Sequence, residues 1–494
     1  MPILLSPSRH LLGLAPLLAL FACGPAQAPL APKFDAGAAY TDAFQVEARG
    51  DDDGAAEAYL SLVEKAALAD LGDRRIPLIG AALDALLFET PDAIADATPH
   101  AALLYRAPKF AGTFDPKGDG GAAVARLRAT WEKAGFDPFT RPTLAHALFV
   151  LASARGDAVD AALWRNRAGF VRDALVTPPH QGGVPSGIFA PAPWDAAGSP
   201  APATIADPLG IVSPPVAVAA RNTAIPLHAA SAAPGVRDAI VDVEAPSDGT
   251  LALVLRVDGP ARLLAQGKTV LSRNYLESDG LTTQRVTLEG VTGTVRIALR
   301  VGGTGTATLA IVNGLGEPLP ATAPKPGDTA KGTFKTVAVA TPAAAHSAKE
   351  EALLAAGELA AGYRAAAESR LGALAFGHDD DPTLLLLRAR ALEGAPDLNS
   401  VQKAERIRAL HEKTLVAWPY SWEAVLGHAK LEGARRAPAE ARFFALNDLA
   451  KHEKDLTPKA HAVVVAFKAG LFGRDPLPDE AAKLVADAHA TFPK

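Results

Sequence analysis

Sulfur is almost absent from this 494-residue chain, in which Cys23 is the only cysteine and Met1 the only methionine. Beyond residue 23 there can be no disulfide, no cysteine-ligated zinc and no thiol nucleophile. The depletion fits exposure to oxidants and equally fits drift in an alanine-rich composition. Charge of one sign is also missing: the formal net charge is −5 with no basic block, which argues against nucleic acid or an anionic membrane as an electrostatic partner. After residue 22 no apolar run approaches the ~18 residues that read as a bilayer span. G-x-S-x-G, a P-loop and H-E-x-x-H are absent as well. No catalytic residue, metal or cofactor is expected, and the chain does not read as an enzyme.

What is present begins at the N-terminus. Arg9 and His10 precede the apolar run Leu11 to Ala22, which has the length of a secretory leader. The stretch Leu20-Phe21-Ala22-Cys23 resembles the bacterial lipobox, with a branched apolar residue at −3, a small residue at −1 and cysteine at the cleavage point. Phe21 departs from the pattern, since small residues are commoner at −2. The resemblance implies a signal peptide over 1–22 and a diacylglyceryl group on Cys23, where two or three acyl chains hold far more firmly than one. Gly24 at +2, in place of Asp, implies the outer membrane, on its periplasmic or surface face. Residues 23–34 are Ala/Pro-rich and read as a tether.

The body divides by periodicity. Residues 35–176 read as helical hairpins: Ala55, Tyr59, Leu62, Val63 and Ala66 recur at three- and four-residue steps. Residues 177–215 are dense in Pro and Gly, and form either a linker or a segment pinned against its neighbours by Phe189 and Trp194. Over 216–319 the period becomes two. Leu251, Leu253, Leu255 and Val257 share a face, as do Val295, Ile297, Leu299 and Val301, with Arg296 and Arg300 opposite. Gln266-Gly267 reads as a hairpin turn, and so does Gly302 to Gly305. A β-sandwich of jelly-roll or galactose-binding-like type is expected. A second linker over 320–342 leads to helices over 343–494. There Pro382, Pro419 and Pro458 open similar helix pairs 37 and 39 residues apart, a period that resembles the tetratricopeptide repeat. Trp422 with Leu426-Gly427 stands one residue off that repeat's consensus.

The fold class is therefore multidomain α and β, with TPR-like helical regions flanking a β-sandwich. That order, with "AGFVRDALVTPPHQGG" from Ala168 and "QGKTVLSRN" from Gln266, resembles the non-catalytic front half of large TPR/transglutaminase-like bacterial envelope proteins. The nucleophilic cysteine of such a catalytic domain has no counterpart here.

Candidate sites are few. The run His378 to Asp381 has metal-ligand residue types, but contiguous side chains diverge, and Asp381-Pro382 reads as a helix cap. Asp51 to Asp53 reads the same way. Tyr275 is the only aromatic between Val216 and Leu319, so Arg273, Asn274 and Tyr275 form the one cluster on the strands that could hold a ligand. On the helices Tyr420 and Trp422 could meet a partner, although aromatics at helical spacing usually pack internally, as expected for Trp418. These features imply a membrane-anchored scaffold or adaptor that offers its solenoid to an envelope protein or peptide. The alternative is an accessory protein that binds carbohydrate or peptidoglycan through the sandwich.

Overall fold

A computed structural model describes residues 34–87 and 121–457, apart from breaks at 136, 155, 183–185, 221–222, 274–280, 303–306, 341–342, 346, 375–379, 394–399 and 434–437, together with 461, 464, 468 and 483. Cys23, Asn274, Tyr275, His378 and Pro458 lie outside the described residues. Among those described, no helix is long and apolar enough to cross a membrane.

The chain opens with α1 (Ala36–Ala48), α2 (Asp52–Leu68) and α3 (Arg75–Leu87). The anticipated stripe of α2 is buried at all five positions, each 3% exposed or less. Asp51 caps that helix, its carboxylate accepting from the Gly54 amide at 3.1 Å, so the acidic run is a cap. Next come α4 (Gly121–Lys133), α5 (Thr140–Ala154) and α6 (Ala158–Arg167). Asp137 starts α5 by accepting from the amides of Phe139 and Thr140 at 2.7 and 2.9 Å. The helical pattern read to Val176 in fact stops at Arg167. Asp173–Val176 forms strand β1, because Leu175 and Val176 gain sheet partners and burial on both faces.

A two-sheet body follows. After β1 come a short helix α7 (Ser186–Phe189), β2 (Ile205–Ala206), β3 (Val212–Ser213), β4 (Val216–Ala219) and β5 (Arg237–Glu244). The long strands are β6 (Thr250–Asp258), β7 (Ala261–Ala265), β8 (Lys268–Arg273), β9 (Leu281–Glu289), β10 (Thr294–Val301) and β11 (Ala307–Asn313), and the short β12 (Ala321–Thr322) and β13 (Thr336–Val339) complete the set. One antiparallel sheet runs β4-β1-β5-β10-β7-β8 with β12 also on β5, and the other runs β11-β6-β9-β13. The two apolar faces read from the sequence, Leu251 to Val257 and Val295 to Val301, meet in a single core. The Gln266-Gly267 turn closes the β7–β8 hairpin, with φ of +46° and +74°. Residues 303 to 305 lie outside the described residues, but the strands on either side do not form the expected hairpin: β10 pairs with β5 and β7 while β11 pairs with β6, in the other sheet.

The Pro/Gly-rich stretch 177–215 is a strap over the outer face of the seven-stranded sheet. Ala192, Trp194, Ala201 and Ile205 cover Leu175, Ile240, Leu264 and Ala298. Trp194 is the pin, at 9% exposure, whereas Phe189 is 43% exposed. Arg296 and Arg300, which alternation alone would send to solvent, hold the strap down. Arg300 pairs with Asp238 directly across the β10–β5 ladder at 2.8 Å and with Asp195 at 2.7 Å, and donates to the Ala190 carbonyl at 2.7 Å. Arg296 grips Asp242 through two bonds of 2.8 Å and donates to the Ser199 and Asp328 carbonyls, both at 2.9 Å. The stretch 320–342 is likewise built into the sheets, through β12 and β13. Both stretches lack periodicity because side chains of the sheet bind their backbone.

The chain ends in α8 (Ala348–Ala360), α9 (Arg364–Leu374), α10 (Pro382–Glu393), α11 (Ser400–Ala417), α12 (Trp422–Gly433) and α13 (Pro438–His452). Asp381 caps α10 by accepting from Thr383 N at 2.9 Å. The N-terminal and C-terminal helices, far apart in sequence, pack on each other: α8 lies against α3 and α1. A Cβ at Gly357 would stand 2.5 Å from the Pro77 carbonyl, so glycine lets α8 and α3 cross backbone to backbone. Phe44 and Trp418 meet at 6.4 Å between ring centres, and Arg390 lies over Phe44 at 5.0 Å while chelating Glu423.

Candidate functional site

The two-sheet body and the helices touch at defined points. Thr283 N of β9 donates to the Ala361 carbonyl at 2.9 Å, and the Tyr363 hydroxyl returns a bond to the Thr283 carbonyl at 3.0 Å. Near the other end, Gly316 packs on Pro138, Arg141 and Pro142, just before and within the first turn of α5. Between these contacts the outer face of the four-stranded sheet and the helices line a half-open cavity of about 970 Å³. That volume lies at the upper end of the ~300–1,000 Å³ typical of small-molecule sites.

Its two walls differ in chemistry. The helical wall is mainly apolar, with Ile76, Gly80, Leu83 and Leu87 from α3, at the spacing of one helix face, and Leu354 from α8. The sheet wall carries the residues whose neighbours in each strand point into the core: Thr250, Val254 and Arg256 of β6, Thr283, Arg285 and Thr287 of β9, and Thr308 of β11. Strand register sets their positions. Arg285 is opposite Val254, while Arg256 stands between Thr283 on one side and Thr308 on the other. The two arginines are therefore diagonal neighbours on one face, roughly 7–8 Å apart.

Arg285 has an unusual environment. Among the described residues its guanidinium makes no hydrogen bond or ion pair, and its Nε is shielded from solvent. Burial lowers its pKa to about 10; the like charge of Arg256 adds to this, while Tyr363 and Asp137 oppose it. It remains a cation at neutral pH. Asp137 is itself engaged by Arg75 at 2.6 Å. The buried arginines of the sheets are anchored: Arg300 and Arg296 hold carboxylates, and Arg273 holds carbonyls.

The residues singled out from the sequence do not form this site. Arg273 is 1% exposed and donates to the carbonyls of Val257 and Gly259 at 2.6 and 3.1 Å. It braces the β6–β7 turn from the interior and is closed to a ligand, because carbonyl acceptors draw the guanidinium inward. Trp418 is buried between Phe44 and Tyr420. Tyr420 is half-buried, with Arg49 lying 5.5 Å from its ring centre, and Trp422 is half-buried at the start of α12. Among the described residues no group of three or more His, Cys, Asp or Glu is placed to hold a metal ion. Sequence reasoning missed Arg256 and Arg285 because an arginine alternating with leucines reads as solvent-facing. Only the helices packed over that face reveal otherwise.

Neither a family model, nor a curated protein, nor a solved structure matches this chain at a significant level.

Proposed function

We propose that this is a lipid-anchored, non-catalytic binding protein of the bacterial outer membrane whose ligand, a small organic molecule, seats between the four-stranded sheet and the helices. In this reading Cys23 is the anchor, the helix pairs are a TPR-like solenoid, and the two-sheet body is a jelly-roll or galactose-binding-like module. The observation that carries it is the cavity of about 970 Å³ with two unlike walls. It favours the accessory-protein alternative over a pure scaffold and moves the ligand from the Arg273 hairpin to the outer face of β6 and β9. The adaptor role is the second reading, favoured by Phe443 on α13, which is 63% exposed, and its partner would be an envelope protein or peptide.

Gly80 offers the test. It lines the cavity, and a Cβ there would meet nothing within 4 Å, so Gly80→Phe should occupy the space while gaining about 0.3–0.5 kcal/mol of helix propensity. Native mass spectrometry of wild-type and Gly80→Phe protein, both purified from bacterial envelopes, should find a bound molecule on the first alone. Ligand-free masses for both would overturn the reading.

A further inference from the structure

We propose that the ligand is an amphipathic organic anion, a carboxylate or phosphate on an apolar body, whose charged group is held by Arg285 while its body lies along α3. The inference rests on the cavity being a binding site and names what that site selects.

Three observations converge. First, Arg285 is a half-buried cation lining the cavity; among the described residues its guanidinium makes no hydrogen bond or ion pair, and its Nε is shielded. Partly desolvated charges are costly unless satisfied, and the other interior arginines of the sheets are anchored: Arg296 by Asp242, Arg300 by Asp195 and Asp238, and Arg237 and Arg273 by backbone carbonyls. Second, the register sets Arg256 diagonally beside Arg285, with Thr308 and Thr283 directly opposite Arg256. The Thr308 hydroxyl is buried and makes no hydrogen bond. Two cations flanked by a free hydroxyl complement an oxyanion, and a guanidinium fork takes two of its oxygens at once. A neutral ligand would leave the fork unfilled. Third, the facing wall is mainly apolar, with Ile76, Leu83, Leu87 and Leu354 beside Asp84 and Glu358. A small inorganic anion would fill little of a cavity of about 970 Å³, whereas an alkyl or aryl body would occupy it.

Isothermal titration calorimetry with decanoate, decyl phosphate and 1-decanol separates the two ideas. Wild-type protein should bind at least one anion about tenfold or more tighter than 1-decanol, the worth of a charge-assisted bond. Arg285→Met should bring the anions down to the level of the alcohol while leaving 1-decanol binding intact, and Arg285→Lys should retain part of the preference. Arg285→Met should also melt no lower than wild type without ligand, since it removes an unpaired charge. Which head group binds tighter distinguishes a carboxylate from a phosphate site. Equal affinity for anions and alcohol, or a preference that survives Arg285→Met, would sink the anion inference and leave the binding-protein reading standing. No binding of any probe, with ligand-free protein from envelopes, would end both.

Discussion

The indole Nε1 of Trp194, on the strap, donates to Oδ2 of Asp238, on β5, at 2.7 Å. That bond lies beneath a stretch of chain with almost no regular structure, and it belongs to a closed set. Burial alone would raise the Asp238 pKa. The hydrogen bonds from Arg300, with the adjacent His180 ring, outweigh it and hold the carboxyl well below the usual carboxylate range. His180 Nε2 stands 3.3 Å from Oδ1 of the same residue.

Removing the carboxylate takes two hydrogen bonds from the fully buried Arg300 guanidinium, leaving it Asp195 and the Ala190 carbonyl, and also unpairs the Trp194 indole, so Asp238→Ala should cost up to about 3–5 kcal/mol. Trp194→Phe keeps most of the packing and loses one bond, for about 1–2 kcal/mol. Urea denaturation should rank the two in that order, and limited proteolysis within 177–215 should accelerate in both. A strap as resistant in Asp238→Ala as in wild type would show that it is held by something else.

The crossing of α8 and α3 makes a second prediction by contrast of two helical glycines. Ala at Gly357 would drive a Cβ to 2.5 Å from the Pro77 carbonyl, whereas Gly372 on α9 has nothing within 4 Å. Gly372→Ala should stabilise by about 0.5–1 kcal/mol through helix propensity. Gly357→Ala should destabilise by about 1–3 kcal/mol, because backbone cannot yield as a side chain can. Thermal melts that move in the same direction for both would contradict a close crossing there.

Periodicity carried the local reading well. The stripe of α2, the strands β6 and β10, the Gln266-Gly267 turn and the caps at Asp51 and Asp381 follow from spacing and turn chemistry within a dozen residues. What depended on distant chain was hidden. Leu175 and Val176 read as the end of a helix until β5 pairs with them. Arg296 and Arg300 read as a solvated face until the strap covers them. The cavity was least legible, since Arg285 differs from any surface arginine only in having α3, α8 and the Tyr363 turn folded over it.

The lipobox makes a prediction at the other end of the chain. Mass spectrometry of the mature N-terminus from membrane fractions should find a diacylated cysteine at position 23, and Cys23→Ser should lose both that modification and membrane retention, as loss of acyl chains at about 0.8 kcal/mol per buried methylene requires. A wild-type chain that begins elsewhere without lipid would remove the anchor from the proposal and leave the cavity unaffected.

Acid should loosen the C-terminal helices through His411. The ring is 3% exposed, its Nδ1 makes no hydrogen bond, and it packs so closely on α12 that a Cβ at Gly427 would lie 2.3 Å from Nε2. Burial lowers its pKa to about 4; Glu423 opposes this, and the positive charge of Arg390 and the neighbouring His428 add to it. A base whose folded pKa lies below its unfolded value gives full stability above about pH 6.5 and loses it as pH falls toward the folded value. His428 behaves oppositely. Its hydrogen bond to Asp448, at 2.5 Å, raises its pKa, so its contribution is complete below about pH 6.5 and fades as pH rises through that raised value. The two act on opposite sides of the ordinary imidazole value, and the acid side belongs to His411. Between pH 7.5 and 5 the His411 contribution falls by roughly 2 kcal/mol, and His411→Leu, which cannot take up a proton, should remove that much of the pH dependence from urea midpoints. Identical acid slopes in wild type and His411→Leu would mean that the ring titrates in the folded protein as it does in water.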